Sequence, residues 1–143
     1  MKGQFLLQAL LAASLVLGVA AHVCAAEEPA AAAEPPIPEN NPYSGMTDKI
    51  EKGKRFFRQN TCTACHGGRA DGQGDMGSGA DLRKLKLGFK RFVQTVKSGR
   101  RVEGRQQFMP SFAHLSQDEI FIIGAYLETL ALPEANWKAG VTN

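Results

Sequence analysis

The sequence predicts an all-α domain, on three observations. Three segments repeat apolar residues at helical spacing. No stretch alternates apolar and polar residues as a half-buried strand does. The last of the three segments opens on a complete capping signature. The first helix is predicted over residues 48–60, N-capped by Thr47, with Ile50, Gly53 and Phe57 along one stripe. Residues 61–81 read as loop, since six glycines fall between Gly67 and Gly79. A second helix is predicted over 87–98, where Phe89, Phe92, Val93 and Val96 follow i, i+3, i+4, i+7 and Gly99 supplies the stop. A polar loop, 99–115, leads to the third. There Ser116-Gln117-Asp118-Glu119 forms the capping box, Ile120, Ile123, Leu127 and Leu130 form the buried stripe, and Pro133 lies just beyond.

The chain has 143 residues and a formal charge of +3, room for one domain. Residues 1–26 carry one charge, Lys2, then an uncharged run from Ala9 to Ala21, and close on Cys24-Ala25-Ala26. That order is expected of a secretory signal peptide; an uncleaved membrane anchor is the alternative, against which stand Gln8 and the shortness of the run. Residues 27–42 hold five prolines and four glutamates with one large apolar side chain, the composition of an extended, flexible leader. The domain proper is expected over 43–143. Removal of the signal leaves two cysteines, too few for a disulfide framework or a four-cysteine zinc site. Large aliphatic residues are also sparse after Ala26, and a domain so small needs a staple, a metal or a cofactor.

Cys62-Thr63-Ala64-Cys65-His66 answers that need. In C-x-x-C-H the thiols stand one helical turn apart, where both can add to the vinyl groups of one haem, and the adjacent histidine faces the iron. A zinc site would need two more ligands, and only His114 remains. A thioredoxin-like pair expects a βαβ setting, and a plain disulfide leaves His66 unexplained. One covalent haem c is therefore expected. An electron-transfer haem needs a sixth ligand that persists through both oxidation states, and thioether sulfur favours ferrous iron. Met109, between Phe108 and Pro110 ahead of the last helix, is the expected ligand; Met76 and His114 are the alternatives, and Met46 precedes the first helix. With both axial positions filled no substrate can bind, so no enzymatic activity is expected. A haem sensor or peroxidase-like enzyme would need an open sixth position.

Residues 41–132 resemble the class I c-type cytochromes. Gly53 and Phe57 match that family's G-x-x-x-[FY] on its first helix, Cys62, Cys65 and His66 its attachment motif, Met109-Pro110 its ligand loop, and Leu115 through Leu127, with Tyr126, its last helix. The resemblance implies N- and C-terminal helices crossing beside a covalently held haem. Asn41-Pro42-Tyr43-Ser44-Gly45 and Cys65-His66-Gly67 before a glycine-rich loop look like the cytochromes that serve quinoprotein alcohol dehydrogenases. Those accept electrons from pyrroloquinoline quinone (PQQ) enzymes in the periplasm and pass them towards a terminal oxidase. The pattern departs after the haem motif, where Gly79-Ala80-Asp81-Leu82 replaces the usual Gly-Pro-x-Leu and the following Thr-Asp is missing. Another periplasmic dehydrogenase or respiratory complex is the alternative partner.

Charge is unevenly spread. Residues 27–42 carry −4 and residues 43–143 carry +6; between Arg83 and Arg105 nine basic residues face one acid, Glu103. Either this is a docking face for an acidic redox partner or the solvated side of the middle helix. No nucleic acid partner and no membrane span after signal removal are expected. Gly72-Gln73-Gly74-Asp75-Met76-Gly77 fits a dinucleotide fingerprint but follows no strand, and Asp71 to Asp75 lacks the glycine and glutamate of a calcium loop. Both read better as a loop whose glycines let backbone approach the haem.

Overall fold

A glycine at a helix crossing lets two backbones meet, and Gly53 does this. In the computed structural model, which describes residues 34–77, 79–104, 106 and 108–137, helix α1 (Thr47–Gln59) packs across α4 (Gln117–Thr129). A Cβ on Gly53 would stand 2.1 Å from the Ile122 carbonyl oxygen and 3.0 Å from Tyr126 Cβ. One turn on, the Phe57 and Tyr126 rings meet at 5.8 Å. Between α1 and α4 lie the one-turn helix α2 (Cys62–His66) and α3 (Phe89–Ser98). Phe89 and Phe92 of α3 line the gap left by Gly124, and Phe89 packs on Phe121 at 5.2 Å. Phe57, Phe89, Val93, Ile120, Ile122 and Leu127 are fully buried. The fold is the mostly helical one expected, with the first and last helices in contact.

The helices begin and end where their polar groups find partners. At α4, Ser116 Oγ accepts from the Glu119 amide at 3.2 Å and Glu119 Oε2 accepts from the Ser116 amide at 2.9 Å, the predicted box. Its burial exceeds the expected stripe: every residue from Ile120 to Leu127 is buried, because α1, α3 and the N-terminal segment enclose it, and Leu130 is a half-buried cap. Thr47 is inside α1 and not its cap; Met46 holds that place without a side-chain bond. Gly88 precedes α3, whose first amide, Phe89, donates 3.0 Å to the Trp137 carbonyl. The C-terminal segment thereby caps α3, and Trp137 packs edge-on against Phe92 at 5.2 Å.

Two stretches expected to be loop carry structure. Within 61–81, α2 is helical, and Leu82–Lys84 form a 3₁₀ turn after it. Within 99–115, β1 (Arg100–Arg101) pairs antiparallel with β2 (Phe108–Met109), Arg100 opposite Met109 and Arg101 opposite Phe108. Two residues are too short to show alternation, and the ribbon owes its place to α3. Phe112 donates 2.9 Å to the Val96 carbonyl and Ser111 Oγ 2.5 Å to that of Lys97, satisfying carbonyls the helix end leaves open. Gly99, at φ +72°, turns the chain there; a Cβ would lie 2.6 Å from the Met109 carbonyl oxygen.

Residues 34–42, expected as the end of an extended leader, lie against the domain. Ile37 packs on the core, Glu34 pairs with Lys97 at 2.8 Å, Glu39 with Lys90 at 3.4 Å, and buried Asn41 donates 3.0 Å to the Phe121 carbonyl. Specific partners on α3 and α4 supply what composition lacks. The predicted signal peptide, 1–26, and residues 27–33 lie outside the described residues.

Candidate functional site

The attachment motif is one turn of helix held from outside. Five residues cannot close their own hydrogen bonds, so neighbouring loop amides do it. Gly67 donates to the Thr63 carbonyl, Met76 to Ala64, Gly79 to Cys65 and Gly72 to His66, at 2.8–2.9 Å. Such wrapping demands glycine. A Cβ at Gly74 would stand 2.2 Å from the Ala64 oxygen, and one at Gly79 would stand 2.5 Å from the Cys65 oxygen and 2.9 Å from His66 Nδ1. The glycine-rich run thus serves close approach to the motif helix itself, and its dinucleotide-like spacing is a by-product of that wrapping.

Cys62 and Cys65 are half-buried free thiols. Burial pushes the Cys62 thiol up to about 11, with Cys65 adding to the rise, the opposite of a redox or nucleophilic cysteine. His66 is buried. Its Nδ1 lies 2.9 Å from the Ala80 carbonyl, which can only accept, so Nδ1 carries the proton and Nε2 keeps a free lone pair. A ligating histidine needs this tautomer and this outer bond. Two thiols a turn apart and an Nε2 left open are a donor set that fits haem c. Among the described residues no three His, Cys, Asp or Glu side chains gather into another metal site.

The remaining candidates are placed differently. Met109 sits on β2, half-buried against the same core that Cys62 packs on. Met76 is 75% exposed and Met46 45% exposed. His114 is exposed, its ring 5.9 Å from that of Phe112. Sequence reasoning did not find the Ala80 carbonyl, which carries no side-chain signal, nor the ribbon holding Met109. Asn41-Pro42-Tyr43 has a structural role: Asn41 Oδ1 accepts from the Tyr43 amide at 3.0 Å while its Nδ2 holds the Phe121 carbonyl, and the Tyr43 hydroxyl donates to Asp118.

Crossed terminal helices, an externally braced C-x-x-C-H turn and a histidine fixed through Nδ1 define a c-type cytochrome domain, and the motif implies covalent haem c. Residues 48–127 match the family model described as cytochrome c oxidase, cbb3-type, subunit III, and the chain belongs to that family. Its matched region is a cytochrome c domain. Among solved structures it is similar to cytochrome cL from the marine methylotrophic bacterium Methylophaga aminisulfidivorans, at 25% identity and a TM-score of 0.49, over 64% of this chain. The similarity spans 59% of that protein's length. No curated protein matches. Among the described residues no helix is long and apolar enough to cross a membrane.

Proposed function

We propose that this chain is a periplasmic, single-haem carrier. It accepts electrons from a PQQ-dependent alcohol dehydrogenase, passes them towards a terminal oxidase and performs no substrate chemistry. Residues 1–26 direct export, residues 27–42 form the leader, and residues 43–143 form the cytochrome domain. Cys62 and Cys65 would hold the haem as thioethers, and His66 Nε2 and Met109 Sδ would ligate its iron. When bound, haem supplies a one-electron Fe(III)/Fe(II) couple. The observation that carries the reading is the Nδ1–Ala80 bond, which presents Nε2 and raises its basicity. Met109 is favoured over Met76 and His114 because it is half-buried on a segment tied to α3 at both Val96 and Lys97. A ligand on a tethered ribbon keeps its place through oxidation and reduction. The donor assignment rests on the likeness of Asn41–Gly45 and of the motif's flanks to cytochromes that serve quinoprotein dehydrogenases, and on the basic balance of residues 43–143.

The test is a spectrum. Oxidised holoprotein is expected to show the far-red charge-transfer band of methionine–Fe(III) ligation, lost in Met109→Ala and kept in Met76→Ala. Ready binding of carbon monoxide by untreated reduced wild type refutes the carrier and favours the sensor or peroxidase reading. For the donor, a quinoprotein alcohol dehydrogenase is expected to reduce the protein rapidly at low salt and more slowly as salt rises. Negligible, salt-independent reduction refutes that partner.

A further inference from the structure

We propose that the β1–β2 end of the basic segment, and not the length of α3, receives an acidic redox protein astride the ribbon: Arg91 and Arg100 take its carboxylates on one side, and Arg101, stacked on the apolar contact Phe108, takes them on the other. The inference deepens the carrier reading above and rests on it.

Three of the basic residues between Arg83 and Arg105 are already engaged by the chain's own carboxylates. Arg83 grips Asp81 through two bonds of 2.9 Å, Lys90 meets Glu39 at 3.4 Å and Lys97 meets Glu34 at 2.8 Å. Glu34 is held further by the Gln117 amide at 3.0 Å, while Gln117 Nε2 donates 2.8 Å to the Pro35 carbonyl. The acidic segment thus lies against α3 and pairs with its two lysines, Lys90 and Lys97. At Lys97 an incoming carboxylate would have to displace one that the Gln117 amide also holds.

The ribbon end is the opposite case. Arg91, Arg100 and Arg101 are exposed, and none makes an ion pair with a described residue. A hollow of about 260 Å³ opens between α3 and β1, lined by Arg91, Gln94, Thr95, Ser98, Gly99 and Arg100. At the ribbon stand two of the exposed large apolar side chains, Phe108 on β2 at 54% and Val102, just after β1, at 39%. The Arg101 guanidinium stacks 4.6 Å above the Phe108 ring, which orders it while leaving its edge donors free for a carboxylate. Exposed aromatic surface with an arginine stacked on it is the composition of an interface centre. The strand register seats Arg100 opposite Met109 and Arg101 opposite Phe108, so a partner astride the ribbon contacts residues paired with, or adjacent to, the one proposed on the iron. With Arg91, Arg100 and Arg101 making no ion pair with a described residue, the complementary partner is an acidic protein.

The experiment compares two variants of equal charge change, Arg100→Gln/Arg101→Gln and Lys90→Gln/Lys97→Gln, in the holoprotein. The probe is plastocyanin, an acidic copper protein. One electron passes from reduced cytochrome to Cu(II), leaving Cu(I) and oxidised cytochrome, with no bond or proton transferred. At low ionic strength the arginine pair is expected to lower the second-order rate by about fivefold and the lysine pair by less than about twofold. Phe108→Ala is expected to lower it severalfold at any salt. Binding is read separately by amide shifts on titration with redox-inert hexacyanocobaltate(III), expected to concentrate at residues 98–102. Equal slowing by both pairs, greater slowing by the lysines, or shifts spread along α3 overturns the proposal. Wild type that exchanges no electron with plastocyanin refutes the carrier reading itself, whereas fast exchange indifferent to Arg100 and Arg101 refutes only this surface.

Discussion

Gly53→Ala puts one methyl group into the crossing of α1 and α4. Its carbon would stand 2.1 Å from the Ile122 oxygen and 2.9 Å from the Ile122 carbonyl carbon, both backbone atoms that cannot rotate away. Relief requires the two helices to part by about 1 Å, and a gap of that size forfeits a quarter to a half of the dispersion well for each atom pair along the seam. Overpacking of this kind costs about 1–3 kcal/mol or more, and rigid backbone on the far side puts this site at the upper end, about 3. Alanine's better helix propensity returns about 1 kcal/mol. The expected net loss is about 2 kcal/mol, a large share of a stability of about 5–15. Gly68→Ala is the control: nothing lies within 4 Å of a Cβ there, so its stability should stay within about 0.5 kcal/mol of wild type. Guanidinium unfolding of the two holoproteins, followed by helical circular dichroism, measures the difference. If Gly53→Ala unfolds at the wild-type midpoint with an unchanged slope, the close-approach argument is wrong.

Other outcomes test separate parts of the structure. Gly79→Ala would crowd Cys65 O and His66 Nδ1, at 2.5 and 2.9 Å, lengthening the bond to Ala80; a less basic imidazole should raise the reduction potential, read by voltammetry. Ser116→Ala removes the capping box of α4 and should cost about 1 kcal/mol in the same unfolding assay. The hydrogen bond to Asp118 holds the Tyr43 phenol above its ordinary 10.0. Folding therefore favours the protonated phenol, so its contribution is complete below pH 10.0 and is lost as pH rises through the folded value. Tyr43→Phe should cost about 1 kcal/mol at neutral pH and flatten the alkaline decline, seen in stability curves from pH 7 upward.

The legible part of the site was the part written in adjacent residues. The spacing of Cys62, Cys65 and His66 on one turn is a local matter, and so is the box that starts α4. Glycine was legible as a marker of tight backbone but not of what it would touch: Gly74 and Gly79 approach the carbonyls of α2, which no local pattern names. The β1–β2 ribbon escaped notice because two-residue strands have no period to read. Residues 34–42 carry a disordered-looking composition, yet Glu34 meets a lysine 63 residues away and Asn41 a carbonyl 80 residues away.

By itself, the sequence determined the covalent chemistry, the helical class and the sign of the charge on the cytochrome part, since each follows from residue identity and short-range spacing. Tertiary structure alone decided which methionine is half-buried and which exposed, which lysines are already paired, and which arginines stand unpaired beside an exposed phenylalanine. Those are properties of distance between residues far apart in the chain. Only packing of the helices brings them together, and no period or composition encodes it.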